Sequence, residues 1–197
     1  DMARLLNAVA LIPGTGEYSL ATSPVYLTGG YGQTAPANIN SPQDKPDMLV
    51  ALDQLTGELP NCGSVLLVVS WFGSDLRCGD CQIKPKVEQV ELDGESMPWR
   101  VTGVTRSAAE IVPLQDGNPV YGGTPSDQAV IEAIREFDRR GQKAVFYPFI
   151  LMEQMAGNTL PDPWTGAGDQ PPLPWRGRIT LSVAPGRDGS PDQTAAA

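Results

Sequence analysis

Two predominantly apolar stretches, Ser64 to Phe72 and Lys143 to Met152, constrain the fold of this chain more than any other feature. Neither alternates apolar with polar residues, so both suit strands buried on two faces of a parallel sheet rather than strands with one wet face. Ahead of the second run, Thr124-Pro125-Ser126-Asp127 supplies a helix cap, a first-turn proline and an acidic residue. Val130, Ile131, Ile134 and Phe137 then form one apolar helical face as far as Arg140, and Gly141 provides the stop. Strand, helix and strand in this order predict a right-handed parallel unit, because parallel strands need a crossover and the crossover has a fixed hand. Upstream, Met48, Leu49, Leu52, Leu55 and Leu59 recur at three and four, which predicts a further helix from Pro46 until Pro60 and Asn61 end it.

The lengths of the connections sharpen this reading. Helix returns to strand through Gly141 and Gln142 alone, whereas strand reaches helix through everything from Gly73 to Gly123. That long connection predicts its own hairpin, with Glu110 to Leu114 and Pro119 to Tyr121 flanking an Asp116-Gly117 turn. A second long stretch, from Gln154 to Gly189, carries Pro161, Pro163, Pro171, Pro172 and Pro174, too many for a crossover helix. Within it Arg178 to Val183 is read as an inserted strand. Gly 21 and Pro 19 in 197 residues compare with a usual combined share of roughly 12%, so much of the chain is loop. Long loops after strands and tight ones after helices are the asymmetry of a (β/α)8 TIM-like barrel, whose binding face is built at the strand C-terminal ends. The expected fold class is therefore α/β: the N-terminal part of such a barrel, with long βα loops that contain hairpins. A doubly wound α/β sheet is the alternative. The expected division is a lead-in segment over 1–45 and the start of the barrel over 46–197. The closing string, with Ser190 as cap and Pro191 at the first helical position, reads as a helix onset. It suggests a piece of a longer polypeptide.

Composition removes several function classes. The sequence contains no histidine, which excludes Ser-His-Asp and Cys-His nucleophile systems and His-containing zinc sites within these residues. With Lys+Arg 14 against Asp+Glu 23, a net charge of -9 and scattered cations, a nucleic-acid surface is not expected. No apolar run approaches the roughly 20 residues of a membrane-spanning helix. Leu5 to Ile12 is too interrupted for the core of a signal peptide, since Asp1 spoils the basic flank and Asn7 breaks the run, and it reads as a buried segment. Gly14-Thr15-Gly16 lacks the spacing of a phosphate-binding loop.

Cys78-Gly79-Asp80-Cys81 is the sharpest local motif. Zinc wants four ligands, and the remaining Cys62 lies across a strand that would hold it some 30 Å away if straight. Gln82-Ile83-Lys84-Pro85 is not the helix start of a thioredoxin-like site. A local disulfide between Cys78 and Cys81 in an oxidising setting, or two free thiols in a reducing one, fits the spacing. No metal or organic cofactor is implied. Acid-base chemistry would fall to carboxylates near strand ends, namely Asp75, Glu153 and Asp162, with Trp71, Trp164 and Trp175 in the same regions. Acids beside flat aromatic faces on a barrel rim are what a carbohydrate site uses. The same acids also serve as turn caps or solvated charges, and the same tryptophans as loop packing.

Leu11-Ile12-Pro13-Gly14-Thr15-Gly16-Glu17-Tyr18, Val68-Val69-Ser70-Trp71-Phe72-Gly73 leading to Leu76-Arg77-Cys78, and Tyr121-Gly122-Gly123-Thr124-Pro125-Ser126-Asp127 are words of a known family. So are Phe146-Tyr147-Pro148-Phe149-Ile150-Leu151-Met152 and Pro174-Trp175-Arg176-Gly177-Arg178-Ile179-Thr180. In matching order over nearly the whole chain, they resemble the baseplate megatron, or host-specificity tail-tip protein, of gene transfer agents and related tailed phages. The resemblance implies a glycoside-hydrolase-like TIM barrel in the tail tip of a phage-like particle, made in the bacterial cytoplasm and released. It implies other baseplate subunits as partners and a bacterial surface glycan as a further one. The expected role is contact with the bacterial envelope through the barrel; the alternative is hydrolysis of cell-wall or capsular polysaccharide by two carboxylates. The family's acid, in a Gly-Ser-Glu word after a later strand, has no counterpart here, so no catalytic residue is carried over.

Overall fold

A computed structural model describes residues 2–29, 32 and 34–191. It is a mixed α/β structure in which three parallel strands alternate with two helices, and a two-residue strand, Ile83–Lys84, pairs antiparallel with the end of the middle one. We number the elements of that alternation: β1 is Ala8–Leu11, α1 is Asp47–Glu58, β2 is Ser64–Gly73, α2 is Asp127–Arg139 and β3 is Lys143–Met152. Strand order follows chain order, β1-β2-β3. β1 pairs with β2 in parallel, Val9 opposite Val65 and Leu11 opposite Leu67. β3 follows β2 at a constant offset, with Lys143 N–H on Gly63 O (2.8 Å) at one end and Glu153 N–H on Gly73 O (3.1 Å) at the other. The described residues do not close a barrel.

The segment read as a lead-in thus supplies the first strand of the sheet. Leu5 to Ile12, expected to be buried, is a half-exposed edge: Val9 and Leu11 are partly covered, while Leu5 and Ile12 face solvent. Its neighbour explains why the middle strand is the anchor. Val65, Leu67 and Val69 are buried on one face of β2, while Leu66, Val68 and Ser70 on the other are only partly covered. Consecutive right-handed crossovers in an unreversed strand order place both helices on the same face of a sheet, which accounts for one dry face and one only partly covered along residues 64–70. β3 departs from its sequence reading. Its residues are entirely apolar between Ala144 and Met152, yet Val145 and Phe146, on opposite faces, are both exposed, Phe146 at 54%. A strand paired on one side, at the end of the sheet order, covers neither face. Pro148 is compatible with that edge position.

The helices stand where their periodicity put them, with shifted details. In α1, Met48, Leu52 and Leu55 are buried. In α2 the cap is Ser126, whose Oγ accepts the Ala129 N–H at 3.2 Å, two residues later than the Thr124 expected from the sequence. The dry face is Ala129, Ala133 and Phe137; Ile131 and Ile134 are exposed. Small residues win because they permit close approach of the helix, which apolar periodicity alone does not register.

The described chain divides into two compact units: residues 1–70, 85–112 and 119–149, and residues 71–84, 113–118 and 150–197. In the first, the loop after β1 forms an antiparallel ladder, Tyr26–Thr28 with Thr34–Pro36, and Asp93–Gly94 from the loop after β2 joins its other edge. Lys86–Val87 pairs in parallel with Glu110–Ile111. Glu110–Ile111 is therefore not an arm of the expected hairpin, which is tighter: Leu114–Gln115 with Asn118–Pro119 around Asp116-Gly117. Asp116 and Gly117 have φ of 52° and 80°, the two left-handed residues of a hairpin turn that matches strand twist. In the second unit Arg178 to Val183 is not a strand; a short 3-10 turn, Arg176–Arg178, leads to a single parallel bridge between Arg77 and Thr180. The helix onset expected from Pro191 lies outside the described residues beyond its first position.

Candidate functional site

The acids and tryptophans singled out by sequence belong to the second unit: Trp71 lies within β2, and the others on the segments that follow β2 and β3. Asp75, just beyond β2, is buried. Its Oδ1 accepts the Arg77 backbone N–H at 2.8 Å and the Arg77 Nε at 3.0 Å, while Arg77 Nη2 reaches Oδ2 at 2.6 Å. Gln170, only 1% exposed, completes the clasp. Its Nε2 donates to Asp75 Oδ1 (2.8 Å) and Pro161 O (3.0 Å), and its Oε1 accepts the Leu76 N–H (3.0 Å). Asn158 then brackets the Gln170 backbone, accepting its N–H at 3.0 Å and donating to its carbonyl at 2.7 Å. Burial pushes the Asp75 carboxyl up, but the Arg77 side chain, the Arg77 N–H and Gln170 outweigh it and hold the group below the usual carboxylate range. Such a carboxyl is unsuited to general-acid work, which needs a raised pKa.

Asp162 is also buried and also engaged in its own loop. Oδ1 accepts the Trp164 N–H at 2.9 Å, Oδ2 accepts the Thr165 hydroxyl at 2.8 Å, and the Asp162 carbonyl accepts the Gly166 N–H at 2.8 Å. This is an aspartate-initiated turn in which side chain and backbone share the closure. Gly166 lies at φ 80°, in the left-handed region that favours glycine. Asp75 and Asp162 therefore act as acceptors that shape loops.

The tryptophans divide differently. Trp71, near the end of β2, is partly covered. Trp164 is 38% exposed, its Nε1 donates to Arg178 O at 2.6 Å, and the Arg178 guanidinium lies 5.9 Å from its ring. Trp175 is 63% exposed with the Arg176 guanidinium 4.5 Å from its ring. The loop after β3 thus presents two indole faces, each beside an arginine. Glu153 ends β3 and is half-buried. Next to it Gln154 is 3% exposed, and neither Oε1 nor Nε2 has a hydrogen-bond partner among the described residues.

Sequence reasoning missed Gln154, Gln170 and Asn158. Gln170 sits in Asp169-Gln170-Pro171-Pro172, where nothing distinguishes it from a solvated loop amide. Only the fold, which carries it to Asp75, gives it a role. Cys78 is exposed and Cys81 partly covered, both as thiols, and Cys62 is buried. Among the described residues no three Cys, Asp or Glu side chains gather as a metal site, and no helix is long and apolar enough to cross a membrane.

The first unit has an open cleft of about 450 Å³ where the loop after β1 meets the first turns of α1, lined by Pro13, Gly14, Thr15, Asp47 and Ala51 among others. Asp47 accepts the Asn40 N–H and side-chain amide at 2.9 and 2.6 Å, so its carboxylate is occupied by the loop. No family model matches the chain, and no curated protein matches it.

Proposed function

We propose that this chain is part of a phage-like tail-tip baseplate protein, and that it contacts glycan of the bacterial envelope through the loops of a glycoside-hydrolase-like TIM barrel. The observation that carries the envelope contact is the loop after β3. Its two exposed tryptophans stand beside arginines, while its buried acid is committed to the loop's own turn. Flat indole faces stack on sugar rings, and neighbouring guanidiniums suit acidic sugars or phosphate substituents. The barrel rests on three supports: the order β1-β2-β3 without reversal, the long loops after each strand, and the partly covered Leu66 and Val68 on the face of β2 opposite its dry one. A doubly wound sheet would reverse the strand order and cover both faces. The baseplate assignment rests on the sequence words quoted above.

Contact is favoured over hydrolysis within these residues because Arg77 and Gln170 hold the Asp75 carboxyl below the usual carboxylate range and both carboxylate oxygens of Asp162 accept hydrogen bonds from its own turn; a hydrolase needs an acid and a second carboxylate roughly 5 or 6.5–9.5 Å apart. The test is co-sedimentation of the purified chain with envelope glycans, namely peptidoglycan sacculi, capsule and lipopolysaccharide, with reducing ends assayed in the same tubes. Binding that falls on Trp175→Ala and Trp164→Ala, with no reducing ends released, is the expected result. Release of reducing ends would replace the contact reading with the hydrolase, and absence of binding to every glycan would remove both.

A further inference from the structure

The loop after β2 holds its two cysteines on one turn. The Arg77 carbonyl accepts the N–H of both Asp80 (3.0 Å) and Cys81 (2.9 Å), so Cys78 to Cys81 wrap a single helical-type turn. Residues three apart on such a turn have Cβ atoms about 5–6 Å apart, and a disulfide asks for about 3.5–4.5 Å; closure therefore needs the backbone of the turn to tighten by about an ångström or two, with rotation about the Cα–Cβ bonds bringing the sulfurs to face each other. The turn is fixed from outside. Cys78 N–H donates to Thr180 O and Thr180 N–H to Leu76 O, both at 2.7 Å, while Ser74 and Gln82 close its base through two bonds of 3.1 and 2.9 Å. The Arg77 guanidinium holds Asp75 below the turn and reaches Asp80 within it at 3.3 Å. Gly79, between the cysteines, adds no side chain to the turn, and the space where its Cβ would stand is open.

We propose that this turn is a preformed dithiol site that closes reversibly into a Cys78–Cys81 disulfide by exchange with a low-molecular-weight disulfide such as oxidised glutathione. The exposed Cys78 is the entry point. Its thiolate attacks one sulfur of the small disulfide, that S–S bond breaks, and the first glutathione leaves as a thiolate that takes up a proton. The Cys81 thiolate then attacks the Cys78 sulfur of the mixed disulfide and expels the second glutathione. Two protein thiols are oxidised and one small disulfide is reduced to two thiols. Closure locks the turn that carries Arg77, and through it the clasp on Asp75. This inference is independent of the glycan reading.

The experiment is equilibration of the purified chain in a series of glutathione redox buffers, acid quench, alkylation and peptide mass spectrometry. Cys78 and Cys81 are expected to lose alkylation together, with no glutathione retained, while Cys62 labels only after denaturation. Cys81→Ser is expected to accumulate a glutathione adduct on Cys78, and Cys78→Ser to acquire one on Cys81 more slowly. Full labelling of both thiols in the most oxidising buffer, disulfide-linked dimers, or a glutathione adduct persisting on the unsubstituted chain would each overturn the proposal. Equal adduct rates in the two variants would overturn the assigned order of attack.

Discussion

Each compact unit is organised by an arginine, and the two arginines work in different ways. In the first unit Arg106 is buried and reaches segments distant in sequence. Its Nη2 donates to Glu17 and to the Tyr18 hydroxyl, its Nε to Asp93 at 2.9 Å, and its Nη1 to Gln89 O at 2.8 Å. Glu17 extends the cluster by accepting the Glu88 N–H at 2.7 Å. The loops after β1 and β2 are thereby tied together around one buried cation. In the second unit Arg77 is partly exposed and its ionic partners, Asp75 and Asp80, are near neighbours in sequence. The long-range link there is neutral: the Gln170 amide bridges Asp75, Leu76 and Pro161. The contrast teaches where each unit is vulnerable. A buried cation must keep all its partners, whereas a cluster whose cation reaches solvent depends for its long-range link on the buried Gln170 amide.

That contrast orders the expected losses. Arg106→Met leaves the buried Glu17 carboxylate without its cation and takes one donor from Asp93. Removal of one partner from a buried ion pair costs about 3–5 kcal/mol, which we expect in denaturant unfolding. Hydrogen exchange should locate the loss in residues 86–112 first. A cost below about 1 kcal/mol, the range of a solvated surface pair, would break the comparison by showing that the two arginines are equivalent. Gln170→Ala ranks second. It leaves the Leu76 N–H and one Asp75 oxygen short of a partner, and unsatisfied buried groups cost about 1–3 kcal/mol. Faster exchange should appear in residues 74–82 and 155–171, and an effect confined to the first unit would show that Gln170 is not the link.

Legibility from sequence follows the same division. The two helices and the two apolar strands were readable, because each rests on periodicity within one segment. The accessory ladders were not, since Thr34–Pro36 and Asp93–Gly94 both pair with Tyr26–Thr28 and have no local apolar pattern. Of the site, Asp75, Asp162, Trp164 and Trp175 were found by their position after strands. What they do there was not, because it depends on partners far along the chain: Gln170 for Asp75, and Arg178 for Trp164. The Arg106 cluster was invisible for the same reason. Glu17, Asp93 and Arg106 are unremarkable charges until the loops after β1 and β2 meet.

The smallest expected effect is the most discriminating, because one carboxyl in each cluster, Asp75 and Glu17, responds to acid with the opposite sign to the other. Asp75 is held below the usual carboxylate range despite its burial, so its native state binds fewer protons than the unfolded chain. It therefore contributes stability that is fully present above the unfolded value near 3.8 and is lost as pH falls through the lower native value. Glu17 behaves in reverse: burial pushes its carboxyl up from 4.5, against the pull of Arg106 and the Glu88 N–H. Its native state binds more protons, so between 4.5 and the raised native value its contribution falls as pH rises. Comparing Asp75→Asn with the unsubstituted chain by unfolding at pH 6 and pH 3 isolates the first of these. The stability difference between the two proteins should shrink at the lower pH, and Glu17→Gln should show no such loss over the same interval. A difference for Asp75→Asn that stays constant from pH 6 to pH 3 would mean that Arg77 and Gln170 hold the aspartate by shape alone, and that the second unit's clasp is not electrostatic.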